Sequence, residues 1–129
     1  MVKFASALLL ALAGATTATA QDFRAENRAT VTPVAGGFQI ADGAGFGARG
    51  MWCAAADYAN DVLGARSTAR IYVVGPRLSF DAPVTFSLDP SDVSPRQVQI
   101  LSQSLRVAGA NLSLAHAQSF CADARLINR

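Results

Sequence analysis

Residues 51–65, with the sequence MWCAAADYANDVLGA, decide the fold. Their apolar positions recur at helical spacing, while Asp57, Asn60 and Asp61 lie on the other side. We expect the two aspartates, one helical turn apart, to form a solvated face. The apolar positions are Trp52, Ala55, Ala56, Ala59, Val62 and Leu63. This pattern predicts an amphipathic helix over Met51–Ala65, which ends at Gly64 and the polar run after it. The rest of the chain must therefore supply a layer on which the apolar face packs.

The sequence before this helix predicts a β-hairpin. Residues Ala29–Ala35 and Phe38–Asp42 flank the glycine pair 36–37, which suits a two-residue turn because both glycines tolerate positive φ. Pro33 has no N–H group for a ladder, so we expect the first strand at a sheet edge. A glycine-rich loop, residues 43–50, then leads into the helix.

The sequence after the helix predicts further strands. Residues 71–74 are apolar on both alternating faces, as in a central strand, and Val84–Leu88 alternates as a half-buried strand does. The segment Gln97–Val107 fits either a helix or one or two short strands, and we favour strand. Residues 109–111 are typical of a turn.

A second helix is predicted after Ser113, whose hydroxyl can accept from the free N–H groups of a helix start. The apolar positions of this helix are Ala117, Phe120, Cys121 and Ala124. The predicted order is ββαβββα. We therefore expect an α+β fold with a small antiparallel sheet and two helices on one face, joined by a disulfide.

The two cysteines, Cys53 and Cys121, lie one in each predicted helix. In an exported chain such a pair forms a structural disulfide, because nothing in that compartment keeps thiols reduced. The two positions are 68 residues apart. Closing a loop of this length stabilises the fold by roughly 4 kcal/mol in the chain-entropy model.

Export is predicted from residues 1–20, which have the pattern of a cleaved Sec-type signal peptide. Lys3 precedes an apolar stretch, and residues 18–20 read ATA, which predicts cleavage after Ala20. The apolar stretch is shorter than the roughly 20 residues of a membrane-spanning helix, and no later stretch is long enough. We expect residues 21–129 to form one small α+β domain in a periplasm or outside the cell, without a membrane span.

The charges of residues 21–129 argue against nucleic acid as a partner. This segment has ten arginines, no lysine and nine acidic residues, for a formal charge of +1. Proteins that bind nucleic acid concentrate their cations on one face or stripe. Here the arginines are scattered along the chain among aspartates.

Residues 45–50 read GFGARG and match the G-x-G-x-x-G fingerprint of dinucleotide sites. No acidic residue follows the next strand, where residues 74–77 read VGPR, and the chain is too short for a doubly wound domain. We interpret the segment as a connecting loop and predict no cofactor. A second interpretation stays open, in which the loop and the helix start hold a small anion such as phosphate. The residues of that anion site would be Gly45, Gly47, Arg49 and Gly50.

The pair Trp52-Cys53 resembles the start of the Trp-Cys-x-x-Cys motif of thioredoxin-like oxidoreductases. Alanines at 54–56 follow, so the second cysteine of that motif is absent. His116 is the only histidine, and one imidazole does not make a metal cluster. We therefore predict no catalytic residues and no metal site.

The sequence as a whole predicts a non-catalytic binding or structural module, whose partner is a protein or a small ligand. The alternative is a small periplasmic enzyme or a thiol-redox protein that uses Cys53, with His116 nearby.

Overall fold

The computed structural model describes Gly14 and residues 21–127. The predicted signal peptide, Gly14 apart, lies outside the described residues, so its cleavage stays a prediction. The strands are β1 (Phe23–Arg24), β2 (Thr30–Val34), β3 (Gly37–Ile40), β4 (Arg70–Gly75), β5 (Val84–Ser87), β6 (Arg96–Gln97) and β7 (Ala110–Ser113). The helices are α1 (Gly47–Asp61), α2 (Leu101–Ser104), α3 (Leu114–Ser119) and α4 (Ala122–Ile127). The α+β fold class is thus confirmed.

The strands form one seven-stranded sheet in the order β1-β2-β3-β5-β4-β7-β6. All neighbours are antiparallel except β6 and β7, which are parallel, so the prediction of a small, purely antiparallel sheet was wrong in detail. β1 and β6 have two residues each, too few for a hydrophobic period to appear. β7 begins at Ala110, inside the predicted turn, because the chain turns one residue earlier at Gly109, whose φ is 92°.

The predicted hairpin is present, but its turn lies one residue earlier than expected. Val34 pairs with Gly37, so the turn residues are Ala35 and Gly36, and only Gly36 needs a positive φ, at 81°. β2 is the second strand rather than the edge strand. The edge strand β1 pairs with β2 only at residues 30–31. No strand therefore lies beside Pro33 on that side, and the N–H group that proline lacks leaves no acceptor unpaired there.

The favoured strand over Gln97–Val107 was also wrong, since β6 covers only its first residue and α2 follows. A tertiary contact explains the helical turn. The indole Nε1 of Trp52 donates to Ser104 Oγ at 3.1 Å, and Ser104 Oγ donates in turn to the Leu101 carbonyl. Leu105 is buried directly after this turn. Local periodicity cannot report a hydrogen bond to a residue so far away in the sequence.

α1 begins and ends about one turn earlier than predicted. Its apolar face packs on the sheet, where the rings of Trp52 and Phe86 meet edge to face with centroids 5.1 Å apart. The prediction that Asp57 lies on a solvated face was wrong, because residues 50–59 of α1 are all buried. The segment after β1 covers Asp57, and the Glu26 N–H group donates to its Oδ2 at 2.7 Å.

The predicted C-terminal helix is divided into α3 and α4. Ser113 caps α3 as predicted, since its Oγ accepts from the His116 N–H group at 3.1 Å. The disulfide between Cys53 of α1 and Cys121, which lies between α3 and α4, is also confirmed, with a Cα–Cα distance of 5.0 Å. Within the described part of the chain, no helix has both the length and the apolar character to cross a membrane.

Candidate functional site

A cavity of about 760 Å³ lies at the N-terminal end of α1. We call it the α1 cleft. Three segments line it: residues 41–48 before and at the start of α1, residues 77–81 after β4, and residues 102–106 in and after α2. The volume lies in the range of roughly 300–1,000 Å³ that is usual for small-molecule sites.

The glycine-rich loop forms one wall of the α1 cleft. Asp42 Oδ1 accepts from the Ala44 N–H group at 2.8 Å and closes a turn that brings the chain to α1. A Cβ atom on Gly43 would overlap the Gly47 carbonyl, and one on Gly50 would overlap the Gly43 carbonyl. The loop therefore lies tightly against the start of α1, and its close backbone contacts require glycine.

Only two of the four residues of the predicted anion site line the α1 cleft. Gly45 and Gly47 do so, and Gly47 is the first residue of α1. Gly50 is buried, and its carbonyl accepts from Asn27 Nδ2 at 2.8 Å. Gly50 thus serves the packing of the loop, whereas Gly45 and Gly47 border the cavity.

Arg49 is directed to another part of the molecule. Its Nε donates to Asp123 Oδ2 at 2.7 Å, and its guanidinium carbon lies 4.7 Å from the centre of the Phe120 ring. The hydrogen bond from Arg49 lowers the pKa of the Asp123 carboxyl group below its usual value. Arg49 therefore connects α1 to α4 rather than to the cleft.

Arg77 is a candidate site residue that sequence reasoning missed. Its backbone N–H donates to the Leu105 carbonyl at 2.6 Å, which ties the segment after β4 to the chain after α2. The guanidinium group touches Met51 Sδ and lies 5.8 Å from the Phe80 ring. Arg77 Nε is buried and has no hydrogen-bond partner among the described residues. The signal for it is a lone arginine in the VGPR segment, residues 74–77, which follows a predicted central strand. A dinucleotide site would have an acidic residue at this place.

Four charged side chains line the α1 cleft: Arg77, Arg106, Asp42 and Asp81. The ion pairs found among the described residues, Arg49–Asp123 and Arg125–Glu26, include none of them. Apolar surface lies beside these charges, above all Phe80, which is 79 % exposed. The cleft thus presents both signs of charge, and neither sign is neutralised by a partner within the described chain.

The cysteine pair and His116 lie elsewhere. Cys53 and Cys121 are almost fully buried, at 0 % and 1 % exposure. The Glu26 carboxylate lies within 4.8 Å of both sulfur atoms, but these sulfurs are bonded to each other and offer no thiolate to a metal. The His116 ring is exposed and lies tilted beside the Phe120 ring, with centroids 5.5 Å apart.

Asp57 also has a pKa that differs from its usual value. Burial raises its pKa, and the N–H group of Glu26 acts in the opposite direction. The carboxylates of Asp61 and Glu26 also raise it. Asp57 does not line the cleft, so its carboxyl group belongs to the packing between α1 and the segment after β1.

The α1 cleft presents polar groups of four kinds. They comprise guanidinium, carboxylate, amide and hydroxyl groups, and the hydroxyl of Ser102 has no histidine beside it in the lining. Comparisons with protein-family models, with curated proteins and with solved structures gave no significant match.

Proposed function

We propose that this protein is an exported, disulfide-stabilised binding module that holds a small charged ligand in the α1 cleft. The observation that carries the proposal is Arg77, a guanidinium that lines a cavity of ligand size and has no ion-pair partner within the described chain. An anionic ligand group in the cavity would form charge-assisted hydrogen bonds with a guanidinium, and these are stronger than hydrogen bonds between neutral groups.

The surroundings of Arg77 support the same chemistry. Arg106 adds a second guanidinium to the lining, and guanidinium groups bind carboxylates and phosphates through parallel hydrogen bonds. Gly47 opens α1, a helix of 15 residues, and the N-terminal end of a helix attracts negative charge. These groups come from three separate segments, so their common position depends on the whole fold.

Export is supported by the signal-like pattern of residues 1–20 and by the disulfide, which is typical of oxidising compartments. The alternative, a thiol-redox protein or small enzyme using Cys53 with His116, has less support. Both sulfur atoms are buried, so a thiolate in solution reaches the disulfide only after local opening. The contacts of His116 are made within α3 and with Phe120.

Isothermal titration calorimetry at fixed ionic strength tests the proposal, with inorganic phosphate and the dipeptide alanyl-phenylalanine as probes. We expect at least one probe to bind the full chain, and Arg77→Gln or Arg106→Gln to weaken that binding at least tenfold, which is about 1.4 kcal/mol. Arg49→Gln is the matched control, because it also removes a guanidinium from the chain but lies outside the cleft. We expect its affinity to stay within twofold.

Two results would overturn the proposal. One is that neither probe binds. The other is that Arg49→Gln weakens binding as much as Arg77→Gln does. Circular dichroism of each variant ensures that an unfolded variant is not counted as a loss of binding.

A further inference from the structure

The charges that line the α1 cleft are balanced. Two guanidinium groups, Arg77 and Arg106, share the cavity with two carboxylates, Asp42 and Asp81. A site for a purely anionic ligand gathers cations and keeps carboxylates away, since like charges at short range are costly. A site for a purely cationic ligand has the opposite composition. The cleft fits neither pattern.

The charges are also free to act on a ligand. Elsewhere in the described chain, Arg49 pairs with Asp123 and Arg125 pairs with Glu26. None of the four charged side chains of the cleft lies within 4.0 Å of an opposite charge in the described chain. Asp42 uses Oδ1 for its turn with Ala44, which holds the carboxylate in place and leaves its other oxygen available.

The cleft has apolar surface between its charges. Phe80 and Leu105 line it together with Ala41 and Ala48. Its volume of about 760 Å³ suits a ligand of drug-like size, which a dipeptide approaches more closely than a single free amino acid does. Apolar side chains of such a ligand would pack beside Phe80, whose ring is 79 % exposed.

We infer that the ligand of the α1 cleft is a zwitterion of the short-peptide class, an inference that rests on the proposed function. Its carboxylate binds Arg77 and Arg106. Its ammonium group binds Asp42 and Asp81, and an apolar side chain contacts Phe80. A ligand of this kind satisfies both signs of charge in the lining at once.

Calorimetric titration of the full chain with four probes tests the inference. The probes are alanyl-phenylalanine, its N-acetyl form, its C-terminal amide and inorganic phosphate. We expect the free dipeptide to bind most tightly. N-acetylation removes the ammonium charge and amidation removes the carboxylate, so each should weaken binding at least tenfold, and phosphate should bind no better than the acetylated form.

The double variant Asp42→Asn/Asp81→Asn identifies the carboxylates responsible. We expect it to reduce the preference for the free over the acetylated dipeptide from at least tenfold to less than threefold. Asparagine can still accept the Ala44 N–H group, so the turn is kept. Asp89→Asn is the matched control, because Asp89 Oδ1 accepts from the Ser91 N–H group in the same kind of turn, away from the cleft.

The possible failures are distinguishable. If the acetylated dipeptide or phosphate binds as tightly as the free dipeptide and Arg77→Gln abolishes that binding, the zwitterion inference is wrong and the proposed function stands. If the double variant keeps the full preference for the free dipeptide, the roles of Asp42 and Asp81 are wrong. If no probe binds the wild-type chain, the proposed function itself fails.

Discussion

Helix α1 uses charge in opposite ways at two places. One is the flank that faces α3 and α4, and the other is the end that borders the cleft. On the flank, Arg49 pairs with Asp123 at 2.7 Å, and the Cys53–Cys121 disulfide makes the connection covalent. At the cleft, Arg77 and its charged neighbours have no ion-pair partner within the described chain. The comparison indicates that charges paired within the chain connect helices, whereas charges left unpaired in a concave site are available to a ligand.

Removing the disulfide takes away the covalent link of the flank, and it has the largest expected effect on the free energy of unfolding. We expect Cys53→Ser/Cys121→Ser to lower the free energy of unfolding by roughly 4 kcal/mol, because the unfolded chain regains the freedom of a loop spanning 68 residues. Urea denaturation followed by Trp52 fluorescence measures the change. Wild-type protein unfolded in the presence of reductant is the control and should match the variant. A loss below about 1 kcal/mol would contradict the stabilising role of the disulfide.

The variant Gly50→Ala tests whether the two regions are joined through the glycine-rich loop. Its Cβ atom would overlap the Gly43 carbonyl, so the loop must move. We expect a loss of about 1–3 kcal/mol in unfolding free energy, as for other overpacked sites, together with weaker dipeptide binding. Gly64→Ala is the control, since a Cβ there meets nothing within 4 Å and only its φ of 64° is unfavourable. If Gly50→Ala and Gly64→Ala bind the dipeptide equally well, the loop does not shape the cleft.

Asp57 gives the smallest expected effect and sharpens the contrast, because this acidic residue is buried on α1 and is in neither ion pair of the described residues. Burial raises its folded-state pKa above the ordinary value of 3.8, so the folded chain binds this proton more tightly than the unfolded chain. The resulting stability is fully present below pH 3.8 and is lost as the pH rises through the folded-state pKa. We expect Asp57→Asn to remove this loss, and its amide oxygen can still accept the Glu26 N–H group.

Urea denaturation of Asp57→Asn and wild type between about pH 3 and 7 measures the effect, since a stability difference that changes with pH reports a difference in bound protons. Asp92→Asn is the control, because Asp92 is exposed and is not among the groups that shift the pKa of Asp57. Parallel pH profiles for Asp57→Asn and wild type would show that Asp57 titrates alike in the folded and unfolded states.

The elements that could be predicted are those whose signal is local. Helix α1 follows from the apolar spacing around Trp52, the α3 cap follows from Ser113, and the disulfide follows from the cysteine count and the predicted export signal. The elements that were missed depend on distant contacts. Helix α2 is favoured by the bond from Trp52 to Ser104, and strand β1 is too short for a periodic pattern.

Only part of the candidate site could be predicted from the sequence, for the same reason. The glycine-rich loop carries a recognisable pattern, and three of its glycines, Gly43, Gly45 and Gly47, line the cleft. Arg49 is adjacent to them in sequence, yet helical geometry turns it toward Asp123. Arg77 reaches the cavity because β4 ends beside α2, a contact that the sequence does not display. Which arginine lines the cleft is therefore decided by topology rather than by sequence distance.

The most direct test of the contrast between the two regions is an amide ¹H–¹⁵N NMR titration of the full chain with alanyl-phenylalanine. We expect the signals of Gly45, Gly47, Arg77 and Arg106 to shift in a saturable way, while those of Asp123 and other residues of the disulfide-linked flank stay in place. Shifts centred on Asp123 and its neighbours, or no saturable shift at the cleft, would contradict the assignment of the unpaired charges to a ligand.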